Sequence, residues 1–427
     1  MPQKILNKVL ICLVCLLPLI YLPFDFMFSN TLLKTFYIYL CSTIIVFLCC
    51  KIGYKKIDKI DIFLIAFYLL NLLSLCFSVD KKLSIYGNTY SARYDGIIML
   101  SSYLLIYYAS KYYYQINKID VSMFFVSGTI VCLIGIYQFV TFSQSNTNLP
   151  YTETVLRSTL GNSNFVGSYL TLFIPALITM YFLKGKFRYL LLSAIFLATL
   201  VLSTARSAWV GIALFLPFLI IFLIKNFEKK QLKNYIIILI CFILICVATI
   251  ALEQITGNHI ITHKLSTLVQ DIINLGHFNI SLEMGSARLK IWDMVFNVIK
   301  NKPILGTGPE TLPLGLATYS HESFTRWINE SSTFIDKAHN DYLHIAACTG
   351  IPSLVFYIIF LILILNSFRK SMFKNKIAFI FFGTIFTYIV QAFFNISVIS
   401  VAPVFWFVLG ISQNKEVHKT LNELYED

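Results

Sequence analysis

The sequence predicts an all-α polytopic membrane protein with about twelve transmembrane helices and one large extracytoplasmic loop before the third-last helix. Three observations predict this fold class. Apolar stretches long enough to cross a bilayer recur along the chain, only 13% of its 427 residues are charged, and the mean hydropathy is +0.74. A soluble globular domain carries about 25% charged residues, so the composition excludes a water-soluble protein.

A transmembrane helix needs about 20 mainly apolar residues. Hydropathy predicts twelve such spans, over 9–28, 31–50, 60–78, 96–114, 120–142, 164–183, 187–203, 207–224, 234–252, 341–366, 376–394 and 397–412. The run 187–224 is divided in two because a single helix of that length would extend about 57 Å at about 1.5 Å per residue. The hydrocarbon core is only about 30 Å thick. The run is interrupted by Ser203, Thr204, Ala205 and Arg206, which provide a turn between the two helices.

A long polar segment, 253–340, separates transmembrane helices 1–9 (1–252) from helices 10–12 and a short cytoplasmic tail (341–427). Within this loop the spacing predicts an amphipathic helix over 286–300. One face of this helix is apolar and carries Leu289, Trp292, Phe296 and Ile299. We expect this face to pack on the membrane-side core or to lie at the membrane interface.

The net charge of +13 has two possible meanings, a nucleic-acid surface or cationic cytoplasmic loops, and the distribution favours the second. With twelve spans, one side of the membrane carries 21 Lys and Arg and the short segments of the other side carry six. Cytoplasmic loops are enriched in these residues. The termini are therefore predicted to be cytoplasmic and the loop 253–340 extracytoplasmic, with no nucleic-acid partner.

The ten cysteines all fall in apolar runs. None lies in an extracytoplasmic loop, where an oxidising compartment would pair them. Cys12 and Cys15 have the spacing of a redox or zinc motif, but inside a predicted transmembrane helix they are two small apolar residues. The histidines show no convincing set of metal ligands. The sequence therefore predicts neither a metal nor a cofactor.

Ionisable residues are nearly absent from the centres of the spans, and the informative polar residues lie at extracytoplasmic helix ends and in the loop. Arg206 stands at a turn between two apolar helices, where it either extends to headgroups or meets a partner. Arg288 opens the loop helix, either as a solvated charge or as a phosphate ligand. His339 precedes the tenth span, as a structural helix-start residue or as a general base.

Four further residues on the same side are candidates for substrate binding. Arg93 and Arg157 are extracytoplasmic cations, and Asn162 and Asn164 stand just before the sixth span. These amides can hydrogen-bond a polar ligand or cap the helix that follows.

Several segments together resemble the O-antigen ligase and polymerase superfamily of polytopic glycan transferases. They are STLGNSNFVGSYL, the Arg206 turn, SARLKIW followed by NKPILGTGPET, and KAHNDYLHIAACTGIPS. The resemblance implies transfer of a glycan from an undecaprenyl-diphosphate carrier to a hydroxyl acceptor at the outer face of the bacterial inner membrane. It also implies that no metal or nucleotide is required.

Carried onto this sequence, the resemblance makes Arg206 and Arg288 ligands of the diphosphate and His339 the base for the acceptor hydroxyl. It further implies that Asn340 orients His339 and that Trp292, one turn after Arg288, belongs to the substrate-binding residues. Trp292, like Ser353, departs from the ligase pattern.

Ligase and polymerase both remain open, because the shared motifs do not identify the acceptor. A transporter or flippase of a lipid-linked glycan is the alternative from another class. It predicts charged residues within the membrane and paired halves of the chain, and the sequence shows neither. A membrane scaffold within an export complex would not require the two arginines and the histidine.

Overall fold

The computed structural model describes residues 1–22, 28–89, 91–145, 156–226, 232–256, 260–277, 284–331 and 333–425. Within these ranges the chain is helical and contains no β-strand. One isolated antiparallel bridge pairs Asn88 with Arg93. The predicted helical class is therefore confirmed.

Eleven helices precede the loop in the described part of the chain. They are α1 (Pro2–Leu16), α2 (Phe28–Ile52), α3 (Lys59–Cys76), α4 (Lys81–Tyr86), α5 (Ile97–Tyr112), α6 (Lys118–Ser145), α7 (Ser163–Thr171), α8 (Ile174–Lys184), α9 (Phe187–Ser203), α10 (Arg206–Asn226) and α11 (Leu232–Thr256). The predicted span 164–183 is thus formed by two consecutive helices, α7 and α8. The predicted division between 187–203 and 207–224 matches the boundary between α9 and α10.

The loop contains four helices, and five more follow it. They are α12 (Ile260–Gly276), α13 (Met284–Asn301), α14 (Leu312–Tyr319), α15 (His321–Ser331), α16 (Asp341–Thr349), α17 (Ile351–Phe368), α18 (Lys376–Ala392), α19 (Ala402–Ser412) and α20 (Lys415–Tyr425).

Seven helical segments of the described chain are long and apolar enough to cross a membrane. They are Pro2–Leu19, Asn30–Ile52, Lys59–Cys76, Lys118–Thr141, Ser163–Lys184, Arg206–Asn226 and Ile351–Phe368. Shorter apolar helices are Phe187–Ser203, Ile236–Thr249, Lys376–Ala392 and Ala402–Ser412. The chain is therefore a polytopic helical membrane protein, and the count of twelve spans stays a prediction.

The centre of the helix bundle is formed by α7 and α8, which contact α9, α10 and α18. Small residues allow these helices to approach closely, as is common where helices pack within a membrane. At Gly211 of α10, an added Cβ would lie 2.8 Å from the carbonyl oxygen of Thr387 in α18. The Thr387 hydroxyl in turn donates to the carbonyl oxygen of Thr171, at 2.9 Å. These contacts join α10, α18 and α7 into one core.

The loop has a second hydrophobic core of its own. Its buried members come from α13, α14, α15 and the segment before α16, together with one turn of α16: Ile291, Met294, Val295, Val298, Ile299, Leu312, Leu316, Phe324, Ile335, Ala338, Ala346, Ala347 and Cys348. The loop is thus a packed unit that ends inside α16.

The predicted amphipathic helix 286–300 is present as α13, and its predicted apolar face is partly buried, because Ile299 lies in the loop core and Trp292 packs against it. Phe296 is 46% exposed, whereas Met294 and Val298 are buried. The helix carries two apolar stripes, and the one containing Ile291 and Val295 packs into the loop core. Periodicity alone does not distinguish these stripes, because the choice depends on where α14 and α16 lie.

The predicted tenth span, 341–366, is not a single helix, because it is interrupted at Gly350. Gly350 has φ +91°, and an added Cβ would lie 1.9 Å from the carbonyl oxygen of Ile304. The adjoining segment 303–308 is bound to this break by backbone hydrogen bonds. The Gly308 amide donates to Cys348 at 2.8 Å, and the Ile351 amide donates to Pro303 at 2.8 Å. The segment GTGPET therefore has a fixed place beside α16.

Candidate functional site

Arg206 is the first residue of α10 and follows a tight turn at Thr204, which has φ +54°. Its side chain is only 10% exposed and faces α12. The guanidinium donates to the Thr267 hydroxyl at 3.2 Å and lies 3.5 Å from a carboxylate oxygen of Asp271. Arg206 is therefore held against the loop rather than extended towards the surroundings of the bundle.

Arg288 in α13 is brought close to Arg206. Its partial burial, together with the neighbouring charge of Arg206, lowers the pKa of Arg288 to about 10. It therefore remains positively charged at neutral pH. Burial, and then the charges of Arg206 and Arg288, also lower the pKa of Lys264 in α12. We name Arg206, Lys264 and Arg288 the cationic cluster. Its like charges repel one another, so a bound anion would stabilise the site.

Asp271 is a carboxylate that contacts this cluster. Besides approaching Arg206, it accepts a hydrogen bond from the Gly285 amide at 3.2 Å, where α13 begins. One carboxylate thus links α10, α12 and the start of α13.

His339 lies directly before α16, in a left-handed backbone conformation with φ +50°. Burial, followed by the positive charge of Arg288, lowers the pKa of His339 to about 4, although Asp336 acts in the opposite direction. The imidazole is therefore neutral at pH 7 and has a nitrogen that can accept a proton. Arg288 also lies one turn before Trp292 on α13, and the Trp292 indole donates to the Ala338 carbonyl next to His339, so the two residues lie in one neighbourhood.

Asn340 and Trp292 hold the chain on either side of His339. The side-chain carbonyl oxygen of Asn340 accepts from the Leu343 amide at 3.0 Å and caps α16. The Trp292 indole donates to the Ala338 carbonyl at 3.1 Å and packs edge-on against Phe393. The contacts described for these two side chains thus fix backbone next to the histidine. The amide nitrogen of Asn340 is buried and has no hydrogen-bond partner among the described residues.

A buried ionic network anchors the segment before His339. The Lys337 ammonium lies 2.7 Å from Glu310 and 3.4 Å from Asp95. Glu310 also lies 3.2 Å from the His344 ring. Burial acts to raise the pKa of Glu310, but Lys337 and His344 outweigh it and lower the pKa to about 2. Glu310 is therefore ionised, and the GTGPET segment is held to the histidine segment by charge.

Arg93 is joined to the same segment from the other side. Its guanidinium lies 2.8 Å from Asp336 and 5.3 Å from the centre of the Phe165 ring. The arrangement brings Arg93 near the segment that carries His339, and its role in substrate binding stays a prediction.

The remaining predicted residues lie on the segment 157–164. Arg157 is half-buried and precedes a short 3₁₀ helix, Ser158–Leu160. Asn162 is exposed, and its side chain caps α7 by accepting from the Asn164 amide at 2.8 Å. The Asn164 carbonyl accepts from Asn395 at 3.2 Å. The hydrogen bond of the Asn162 side chain is thus that of a helix cap, which was the alternative to ligand binding.

Sequence reasoning missed Lys264, Thr267 and Asp271, which point towards Arg206 or Arg288 from α12. Their spacing of three and four residues on an amphipathic helix is a signal that they share one face. It does not reveal what that face contacts. Lys337 and Glu310 were missed for the same reason, because their partners are distant in sequence.

Residues 190–358 match a family model described as O-antigen ligase. This region extends from α9 into α17 and contains Arg206, Arg288 and His339. No curated protein matches the chain. Family membership implies a lipid-linked glycan substrate in a membrane environment. The match agrees with the resemblance carried by the motifs and supports membership of this polytopic membrane protein in the O-antigen ligase and polymerase superfamily.

Proposed function

We propose that this protein is a glycosyltransferase of the bacterial inner membrane that uses an undecaprenyl-diphosphate-linked glycan as donor at the extracytoplasmic face. It moves this glycan to a hydroxyl acceptor, as a ligase or as a polymerase. The observation that carries the proposal is the proximity of a neutral His339 to Arg288 and the rest of the cationic cluster. A base and an anion site side by side are what this transfer requires.

In the proposed reaction, the acceptor hydroxyl attacks the anomeric carbon of the donor sugar while His339 removes the hydroxyl proton. The bond from that carbon to the diphosphate oxygen breaks, and its electron pair leaves with the lipid diphosphate. Arg206 and Arg288 stabilise the negative charge that develops on the leaving group. The chemistry needs no step through a metal or cofactor.

Donor binding is also expected to strengthen the base. Arg288 is the charge that most depresses the pKa of His339 in the free protein. A diphosphate bound to Arg288 would offset this charge and raise the pKa of His339 towards neutrality, where a general base is most effective. The histidine would thus become a better proton acceptor when the donor is in place.

The test is the length of lipid-linked glycans in a strain that lacks the protein, complemented with wild type or with His339→Ala. Single repeat units on the carrier would indicate a polymerase, whereas long chains retained on the carrier would indicate a ligase. His339→Ala is expected to leave the defect uncorrected. The matched control is His321→Ala, because His321 is exposed at the start of α15 in the same loop.

The same experiment addresses the alternative of a transporter or flippase. A protein that only moves the carrier across the bilayer should lose little when His339 is replaced. Full glycan transfer by His339→Ala, at normal protein levels, would therefore reject the enzymatic proposal.

A further inference from the structure

A cavity with several cations in its wall lies far from the candidate site. Its cations are Lys118, Lys184, Lys186 and Arg188, and we call it the basic cavity. Two of them flank the start of α9, whose opposite end leads through a tight turn to Arg206. Because α9 has 17 residues, it is about 25 Å long at about 1.5 Å per residue. The basic cavity is thus separated from the cationic cluster by the length of one helix.

The four cations come from different parts of the chain. Lys118 is the first residue of α6, and Lys184 is the last residue of α8. Lys186 and Arg188 follow on either side of the first residue of α9. Cations at helix ends are common in membrane proteins because cytoplasmic loops are enriched in them. Here, however, residues distant in sequence converge on one cavity.

The basic cavity has an excess of positive charge. Glu423 in α20 is the one acid among the described residues that line it. Asp120 in α6 is near in sequence but does not line the cavity, and its carboxylate accepts from the Tyr114 hydroxyl at 2.9 Å. Lys118 and Lys186 are exposed, so water can solvate their charges. Four cations beside one carboxylate favour binding of an anion.

The volume of the basic cavity is about 530 Å³, which lies within the range of about 300–1,000 Å³ typical of ligand sites. Beyond the cations its wall is largely apolar. Val121, Phe125 and Val126 provide one face of α6, and Leu192 of α9 adds to it. These residues of α6 belong to a segment that is long and apolar enough to cross a membrane. The cavity is therefore cationic at the helix ends and apolar towards the middle of the bundle, which matches the headgroup and acyl chain of a lipid.

Arg188 is already held in position at the wall of the cavity. Its guanidinium donates to the Tyr189 hydroxyl at 2.9 Å and lies 4.7 Å from the centre of the same ring. This hydrogen bond uses one of the five N–H donors of the guanidinium. A planar guanidinium matches the oxygens of a phosphate group, so a phosphate is the anion that the wall suits best.

We propose that the basic cavity binds an anionic glycerophospholipid, with its phosphate among the four cations and an acyl chain along the apolar face of α6. Basic pockets between transmembrane helices are known to bind such headgroups in membrane proteins. The site contains none of the residues assigned to glycan transfer, and its role is structural. A lipid bound there contacts α6, α9 and the turn between α8 and α9, and it stabilises the folded bundle.

The test uses full-length protein that has been delipidated in a neutral detergent. Phosphatidylglycerol or phosphatidylcholine is added, and bound lipid is counted by native mass spectrometry. Wild type is expected to bind phosphatidylglycerol about tenfold more tightly than phosphatidylcholine. In Lys118→Gln/Lys186→Gln, loss of two cations should weaken phosphatidylglycerol binding roughly 30-fold. Equal binding of the two lipids by wild type would overturn the proposal, even if the variant fails to fold.

The matched control is Lys55→Gln/Lys56→Gln, which removes the same charge. Both lysines are exposed and do not line the basic cavity. They lie at the same end of the bundle as the start of α6, because the Tyr113 hydroxyl donates to the Gly53 carbonyl at 2.8 Å. The control is expected to bind phosphatidylglycerol as wild type does. An equal loss in both double variants would show a general effect of surface charge and reject the site.

Thermal unfolding distinguishes a lipid from a soluble phosphate compound. Phosphatidylglycerol should raise the Tm of wild type and of the control more than that of Lys118→Gln/Lys186→Gln. Glycerol 3-phosphate has the phosphate but no acyl chain, so it should have little effect at the same concentration. Equal stabilisation of wild type by both compounds would show that the cavity binds the phosphate alone, and the lipid proposal would be wrong.

The chain itself contains a rival anion for the basic cavity. Glu426 and Asp427 follow α20 and lie outside the described residues. The variant Glu426→Gln/Asp427→Asn is expected to bind phosphatidylglycerol as wild type does. Binding by this variant but not by wild type would identify the acidic end of the chain as the occupant and overturn the proposal.

Discussion

At the scale of single residues, Arg288 and His339 are linked by charge. Arg288 is proposed to hold the donor diphosphate, and its positive charge also lowers the pKa of His339. His339 and both arginines could be predicted from the motifs in which they occur. Lys264 and Asp271 could not, because nothing in the sequence of α12 indicates that Arg206 lies opposite them.

The first prediction concerns the pH dependence of transfer. Proton abstraction requires neutral His339, so kcat/KM should fall as the pH drops through the free-protein pKa of about 4. In Arg288→Gln the depressing charge is absent, so the pKa of His339 rises and the acid limb should move to higher pH. Transition-state stabilisation is also lost, and kcat/KM should decrease about 10²-fold.

The measurement is a pH–rate profile of the purified protein with a lipid-linked donor. Arg326→Gln is the control, since Arg326 is exposed in α15. An acid limb at the same pH in wild type and Arg288→Gln would show that His339 does not sense Arg288.

A second prediction at this scale concerns Lys337. Lys337→Met leaves Asp95 buried without its cation and Glu310 with only the His344 ring. Removal of one partner from a buried ion pair costs about 3–5 kcal/mol. The free energy of unfolding should fall accordingly in a denaturant titration. Lys290→Met is the matched comparison because it breaks the more exposed pair with Glu330, for which about 0–1 kcal/mol is expected. Similar losses in both variants would contradict the assigned role of the network.

At the scale of elements, the sequence predicts which segments form helices better than it predicts which face of each helix is buried. The turn between α9 and α10 and the loop helix α13 follow from hydropathy and spacing. The buried face of α13 and the break between α16 and α17 do not, because both depend on contacts with distant segments. Gly350 permits that break, and it lets the segment 303–308 pack against the end of α16.

Gly350→Ala should therefore destabilise the loop. The left-handed backbone alone costs an alanine about 1–3 kcal/mol, and its Cβ would also meet the Ile304 carbonyl. We expect a lower yield of folded protein and loss of transfer. In Gly276→Ala the added Cβ meets no heavy atom within 4 Å, so stability should change by less than about 1 kcal/mol. Normal folding of Gly350→Ala would show that the segment 303–308 is not held as described.

At the scale of the whole molecule, the candidate site lies where two hydrophobic cores meet. Arg206 comes from the helix bundle, whereas Arg288 and His339 come from the loop and its core. Hydropathy and composition could predict the membrane class, and the division of the chain at the loop stays a prediction. They could not predict that the loop core extends into α16. Ala346, Ala347 and Cys348 are as compatible with a transmembrane helix as with the loop core.

The proposed orientation can be tested by cysteine labelling in intact cells. Thr325 in α15 and Lys419 in α20 are both exposed. With a membrane-impermeant maleimide, Thr325→Cys should be labelled directly, and Lys419→Cys only after the cells are permeabilised. The native protein measures the background of its ten cysteines. Labelling of both positions in intact cells would contradict the proposed topology. Labelling of Lys419→Cys alone would show the opposite orientation.

His339 is proposed to act as a base in glycan transfer, and turnover by the purified protein is the decisive test of that role. A lipid-diphosphate-linked glycan and an acceptor would be incubated with wild type, His339→Ala and His321→Ala, each checked for folding. Wild type and His321→Ala are expected to transfer the glycan, and His339→Ala should be about 10²–10⁴-fold slower. Transfer by His339→Ala at the wild-type rate would contradict this role.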